Sequence, residues 1–88
     1  MPIVARMETA MIPPVPGMGM RIRLLRTAHR MNVIVFAERV SITRQHMSNV
    51  ELGRSAPSLD LLVRIASELG VSVDYLLGRD EPPSAKAA

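Results

Sequence analysis

The chain has 88 residues, enough for one small domain, and carries 11 Lys and Arg against 8 Asp and Glu, a formal charge of +3. The absence of cysteine excludes disulfide staples and thiolate metal sites, and two histidines, His29 and His46, stand too far apart to suggest another metal or cofactor site. No apolar run approaches the roughly 18 residues of a membrane span, so the expectation is a soluble, cytoplasmic protein with no membrane partner.

The charge is unevenly placed. From residue 21 to residue 54 there are seven arginines (Arg21, Arg23, Arg26, Arg30, Arg39, Arg44 and Arg54) against Glu38 and Glu51, a balance of +5. From Ser55 onward the balance is −2. A basic half of this kind suits a partner rich in phosphate.

Residues 1–19 read as an extended arm. Pro13, Pro14 and Pro16 remove amide donors and force extended geometry. A positive leading region is missing, and Arg6 and Glu8 interrupt the apolar residues, so the segment does not read as a secretion signal. Residues 20–78 carry the domain, and residues 79–88, with two prolines and small residues, read as a flexible tail.

The first helix should run from about Met20 to His29 or Met31. Its inner stripe is Ile22, Leu25 and Ala28, with Met31 beyond, while Arg21, Arg23 and Arg30 point outward. Asn32 caps a second helix, about Val33 to Val40, with Phe36, Ala37 and Val40 inside. Val33, Ile34 and Val35 are three successive apolar residues, so at least one faces away from the core and offers a patch to another chain.

Thr43 caps the third helix, about Arg44 to Leu52, which stops at Gly53. Met47 and Val50 face inward. Arg44, Gln45, His46 and Asn49 face outward as long polar side chains able to reach a base edge or a phosphate. Ser58 caps the fourth helix, whose stripe is Leu59, Leu62, Ile65, Ala66 and Leu69, and Gly70 ends it. Ser72 caps the fifth, Val73 to Leu77, closed by Gly78. The fold class is all-α, five short helices round one core.

Phe36 to Gly53 thus has the layout of a helix-turn-helix, a reading helix braced by a shorter apolar one. Arg44 can bond guanine N7 and O6 together, and Gln45 can bond adenine in the same way. His46 can donate to a base or a phosphate. Asn49, a turn further on, reaches a base where the helix lies near parallel to the groove floor. An enzyme is not expected: the chain has no phosphate loop, no nucleophile triad with supporting glycines and no pocketed carboxylate pair.

From about Met20 to Gly78, two thirds of its length, the chain resembles the Cro and phage-repressor family of bacterial regulators, the xenobiotic-response-element type. The matching residues are Arg21 to Arg26, Phe36-Ala37-Glu38, Val50-Glu51-Leu52-Gly53, Pro57-Ser58-Leu59 and Leu69 to Gly78. The resemblance implies a five-helix bundle of the phage-repressor type and a transcriptional regulator, expected to repress from a palindromic site as a homodimer on double-stranded DNA. It implies base readout by Thr43, Arg44, Gln45, His46 and Asn49. It implies phosphate contact by Asn32, Val33, Arg54 and Ser55.

Val33 stands where the family usually has a phosphate-binding glutamine, so only backbone N–H groups remain there. Ser41 stands where the family has a left-handed glycine, at a cost of roughly 1 kcal/mol. The resemblance also implies a buried ion pair between Arg26 and Glu51, and pairing of two copies through Pro57, Val73 and Tyr75. Val73 and Tyr75, two apart on a short helix, should splay so that both cannot enter the same core. The alternative is a protein-interaction module, such as an antitoxin-like partner binder, for which the patch at Val33–Val35 and the arm speak.

Overall fold

The computed structural model describes residues 16–79, and five helices carry them: α1 Met18–Ala28, α2 Val33–Arg39, α3 Arg44–Glu51, α4 Leu59–Leu69 and α5 Val73–Leu76. The expectations for the arm before residue 16 and the tail after residue 79 lie outside the described residues. No helix among those described is long and apolar enough to cross a membrane.

One pair of local devices repeats down the chain. Asn32, Thr43, Ser58 and Ser72 each stand in extended backbone, and each side chain accepts the amide three residues on, which satisfies an N–H that the first turn leaves free. At the other end, every helix closes with the chain turned left-handed and the last carbonyls taken up by two amides just beyond. Glycine occupies that turn after α3, α4 and α5. Arg30 (φ 61°) and Ser41 (φ 65°) occupy it after α1 and α2, where a Cβ makes the conformation unfavourable. The turn at Arg30 was not anticipated.

The core is aliphatic round one phenylalanine. Met18 and Ile22 of α1, Phe36 and Ala37 of α2, Met47 and Val50 of α3, and Leu61, Leu62, Ile65, Ala66 and Leu69 of α4 are buried together with Val40 and Leu76. Several expectations need correction. The helical chain begins at Met18 rather than Met20, and Met18 is buried, so the arm boundary at residue 19 is too late. Ala28 is exposed, because two steps of three from Ile22 carry a stripe about 120° round the helix. Leu59 is exposed and Leu61 buried: the buried arc of α4 leans toward Leu61, and Leu59 falls at its edge with Val63. The second, third and fifth helices each end one residue earlier than expected, with Val40, Leu52 and Leu77 as caps.

Arg21 does not point freely outward. Its Nη1 donates to the carbonyls of Pro16 (3.3 Å) and Leu76 (3.4 Å), joining the start of α1 to the end of α5. Gly78 makes room for it, since a Cβ there would stand 2.8 Å from Arg21 Nη2. Gly19 serves a closer approach. A Cβ on it would meet the main-chain carbonyls of Glu51 and Val50, so α1 crosses the end of α3 nearly backbone to backbone.

The ion pair that the family resemblance implies ties α1 to α3. Arg26 Nε and Nη2 donate to the two carboxylate oxygens of Glu51 at 2.7 and 3.0 Å, and Nη1 donates to the carbonyl of Met31 at 2.8 Å. The side chains are 12% and 6% exposed, so both charges are largely out of water. Truncating one partner of such a pair costs about 3–5 kcal/mol, because the other charge is left buried. Glu51→Gln therefore lowers the urea midpoint well below that of Glu38→Gln, whose carboxylate is exposed.

Candidate nucleic-acid interface

The interface is built on the first two turns of α3. Thr43 Oγ1 accepts the His46 amide at 3.0 Å, which fixes where the helix starts and which residues its first turn presents. Met47 and Val50 are fully buried and set the helix rotation. By the helical period, Gln45 then stands opposite the buried side with Asn49 one turn beyond it, and Arg44 and His46 flank them; Arg44 and Gln45 are exposed, His46 and Asn49 half-buried.

The polar side chains differ in freedom. Arg44 has no partner among the described residues, so its guanidinium is available whole. Gln45 Nε2 donates to Asn49 Oδ1 at 3.3 Å, one helical turn on, which leaves the Gln45 carbonyl, one Gln45 N–H and both Asn49 side-chain N–H groups open. Thr43 accepts with its hydroxyl and can still donate. The sequence-predicted readers Thr43, Arg44, Gln45, His46 and Asn49 are thus brought onto one stretch of one helix.

Behind the reader, α2 is joined to α3 by four residues, 40–43. The amides of Ser41 and Ile42 close α2 on the carbonyls of Glu38 and Ala37, at 3.1 and 3.0 Å. This reverses the chain within one left-handed residue and brings Thr43 into position. At the start of α2, Asn32 Oδ1 accepts the Val35 amide at 2.9 Å, so Asn32 is engaged as a cap. Val33 is half-buried, and Ile34 and Val35 are exposed, as three successive apolar residues require.

On the far side of α3, the amides of Arg54 and Ser55 both bond the Asn49 carbonyl, at 2.9 and 3.3 Å, holding the loop close to the reading helix. The Arg54 side chain is exposed there. Pro57, expected at a surface between two copies, is fully buried within its own chain and is withdrawn from that surface. The ring is packed because residues 56–58 must pass close over the core to start α4. Val73 and Tyr75 are both half-buried and both pack against the core, so the expected splay is corrected: α5 lies at the rim of the core and offers each an edge of it. Each keeps part of its surface open.

Seven arginines lie in the basic half of the sequence, and the structure divides them. Arg21 is held by carbonyls, Arg26 by Glu51, and Arg39 by Glu68 at 3.0 Å. Arg23, Arg30, Arg44 and Arg54 are exposed and have no side-chain partner among the described residues. Arg64, on α4, bonds the Val40 carbonyl at 3.1 Å and Asp60 at 3.2 Å, away from the reading helix.

Comparison with known proteins agrees with this arrangement. Residues 22–76 match the family model described as helix-turn-helix. The chain is 38% identical over 66 residues to the HTH-type transcriptional regulator YobD of Bacillus subtilis (strain 168), covering 75% of this chain and 59% of that protein. It is 29% identical over 62 residues to the immunity repressor protein of Bacillus phage phi105, covering 70% and 43%. The chain thus spans about half the length of these curated relatives.

Among solved structures, the P22 c2 repressor in complex with a synthetic operator superposes with a TM-score of 0.68 at 28% identity, covering 72% of this chain and 96% of that one. The N-terminal DNA-binding domain of SinR from Bacillus subtilis gives a TM-score of 0.67 at 28% identity, covering 76% and 96%.

The turn at Ser41 yields a direct test. Replacing a left-handed non-glycine residue by glycine relieves roughly 1 kcal/mol of backbone strain, less what glycine adds to the freedom of the unfolded chain. Ser41→Gly is expected to raise the urea midpoint modestly, while Ser48→Gly, inside α3, lowers it.

Proposed function

The chain belongs to the helix-turn-helix family of DNA-binding transcriptional regulators, and from that premise we propose that it is a sequence-specific repressor acting in the cytoplasm, binding a palindromic operator as a homodimer. The observation that carries this reading is the exposed Arg44–Asn49 face of α3, braced from behind by a buried apolar side. Arg44 and Gln45 take base edges in the major groove. His46 and Asn49 reach the groove wall or floor, and Thr43 lies at the helix start.

Arg54 and Ser55 contact the backbone on one flank, and the amides at Asn32 and Val33 contact it on the other. The P22 c2 repressor in complex with a synthetic operator and the DNA-binding domain of SinR, which share this fold, support the same use of it.

One such helix covers too few base pairs to mark a site in a genome. Two copies on half-sites about 34–36 Å apart solve this. With Pro57 buried, the pairing surface falls on the open edges of Tyr75 and Val73. Tyr75 suits it, because its ring is apolar while its hydroxyl can stay wet. The exposed Ile34 and Val35 favour a second reading, in which that patch meets another protein chain.

Selection of bound sites from a random DNA pool tests the reader. Arg44→Ala and Gln45→Ala are expected to relax sequence preference by about 1–3 kcal/mol of discrimination at the contacted base, while Arg54→Ala weakens all duplexes alike. An Arg44→Ala protein that still selects the parental site removes that residue from the reader.

Sedimentation separates the two surfaces. Tyr75→Asp is expected to abolish paired, cooperative operator binding, and Ile34→Asp to leave it intact. The reverse outcome places the dimer at the start of α2.

A further inference from the structure

A depression of about 190 Å³ opens between α1, the start of α2 and α3, lined by Arg23, Arg26, Val33, Ser48, Glu51 and Leu52. Its charges are two guanidinium groups and one carboxylate. Glu51 is neutralised by Arg26 through two hydrogen bonds, so the free charge of the depression is that of Arg23. Arg23 is exposed and has no partner among the described residues, and the Ser48 hydroxyl has none either.

Ser48 lies one turn beyond Arg44 on the same strip of α3, and Leu52 one turn beyond that. The depression therefore continues the line of the reading face toward α1.

We propose that Arg23 and Ser48 bind a phosphodiester of the duplex on the flank of the groove opposite Arg54. The inference rests on the DNA-binding reading above and adds a site to it. The need for one follows from Val33. The wall of the depression formed by the first residue of α2 is an aliphatic side chain, and the wall formed by the cap of α3 is Leu52, so neither side chain can hold an anion and only main-chain amides remain there. Arg23 reaches the same space from α1 and supplies the charge-assisted donor that the start of α2 lacks, with Ser48 Oγ as a neutral donor from α3. Arg26, beside it, is committed to Glu51 and the Met31 carbonyl and cannot take this role without breaking the core pair.

The test is fluorescence titration of the full chain with random and selected duplexes across a range of salt, with urea midpoints to confirm folding. Arg23→Gln should reduce the slope of log K against log salt by about 0.9 for each bound copy, so about 1.8 for a dimer on its selected duplex, and weaken every duplex alike without changing the selected site. Arg23→Lys should keep the slope. Val33→Lys added to Arg23→Gln should restore it, because the new ammonium group enters the same depression. Ser48→Ala should weaken binding and leave the slope unchanged.

A slope for Arg23→Gln equal to that of the parent, in a protein whose slope Arg54→Ala does lower, overturns the site and leaves DNA binding standing. A parent protein with no salt-dependent duplex binding overturns both.

Discussion

The guanidinium of Arg26 holds three parts of the domain at one point. Its fork grips Glu51 in the last turn of α3, and its remaining nitrogen takes the Met31 carbonyl in the link between α1 and α2. A buried pair of this kind contributes little net stability, since desolvation offsets attraction. What it fixes is geometry. The planar fork accepts a carboxylate in one orientation, so the end of α3 has one allowed position relative to α1. Gly19 allows α1 to lie against the carbonyls of Val50 and Glu51 about two turns away. The reading helix is therefore clamped at its C-terminal end, and its N-terminal half is left projecting.

Fixing one end of α3 also explains the distribution of charge. A domain this small has few places to bury a cation, and each arginine taken up by the scaffold is lost to a phosphate-rich partner. Arg21 fastens the outgoing end of α5 to the incoming chain at Pro16, Arg39 fastens α2 to Glu68 of α4, and Arg64 fastens α4 to Val40. The tie from α4 ends on a carbonyl one residue before Ser41, one of the two non-glycine residues held left-handed among those described. Net charge read from the sequence counts these cations with the free ones, although their guanidinium groups already hold partners within the fold.

Much of the fold was legible because its helices are delimited by local chemistry. Asn32, Thr43, Ser58 and Ser72 are caps by side-chain type, and Gly53, Gly70 and Gly78 are stops by backbone freedom, so each could be read without knowing the tertiary structure. The ion pair was legible only through the family resemblance, as 25 residues separate its partners. Illegible were features that depend on neighbours.

Pro57 looks like a loop residue, and only the packing of the chain into α4 buries it. Leu59 and Leu61 have equal claims on a stripe until the side of α4 that meets the core is known. Met18 and Gly19 were assigned to the arm because the prolines before them dominate the local pattern, whereas the close approach at Gly19 is a property of α3. Arg23 carries no local mark at all, and its place became visible only when Ser48 and Val33 were brought beside it.

Apolar residues near a phosphate-binding edge have a consequence for selectivity. Non-specific binding to duplex DNA is supplied almost wholly by counterion release, which scales with the number of phosphates neutralised. Four free arginines in the basic half, with valine at the head of α2 and leucine closing α3, hold that number down. The base-edge contacts proposed for Arg44 and Gln45 would not be reduced by the same change, since such contacts depend on donor geometry rather than total charge. A reader with fewer backbone contacts binds every site more weakly by the same factor, so the ratio between right and wrong sites stays where base readout sets it. What matters in a genome is the ratio of specific to non-specific binding, set against the number of competing sites. On that measure the loss of a phosphate-binding side chain at Val33 is compatible with good discrimination, provided that two copies act together to recover the affinity.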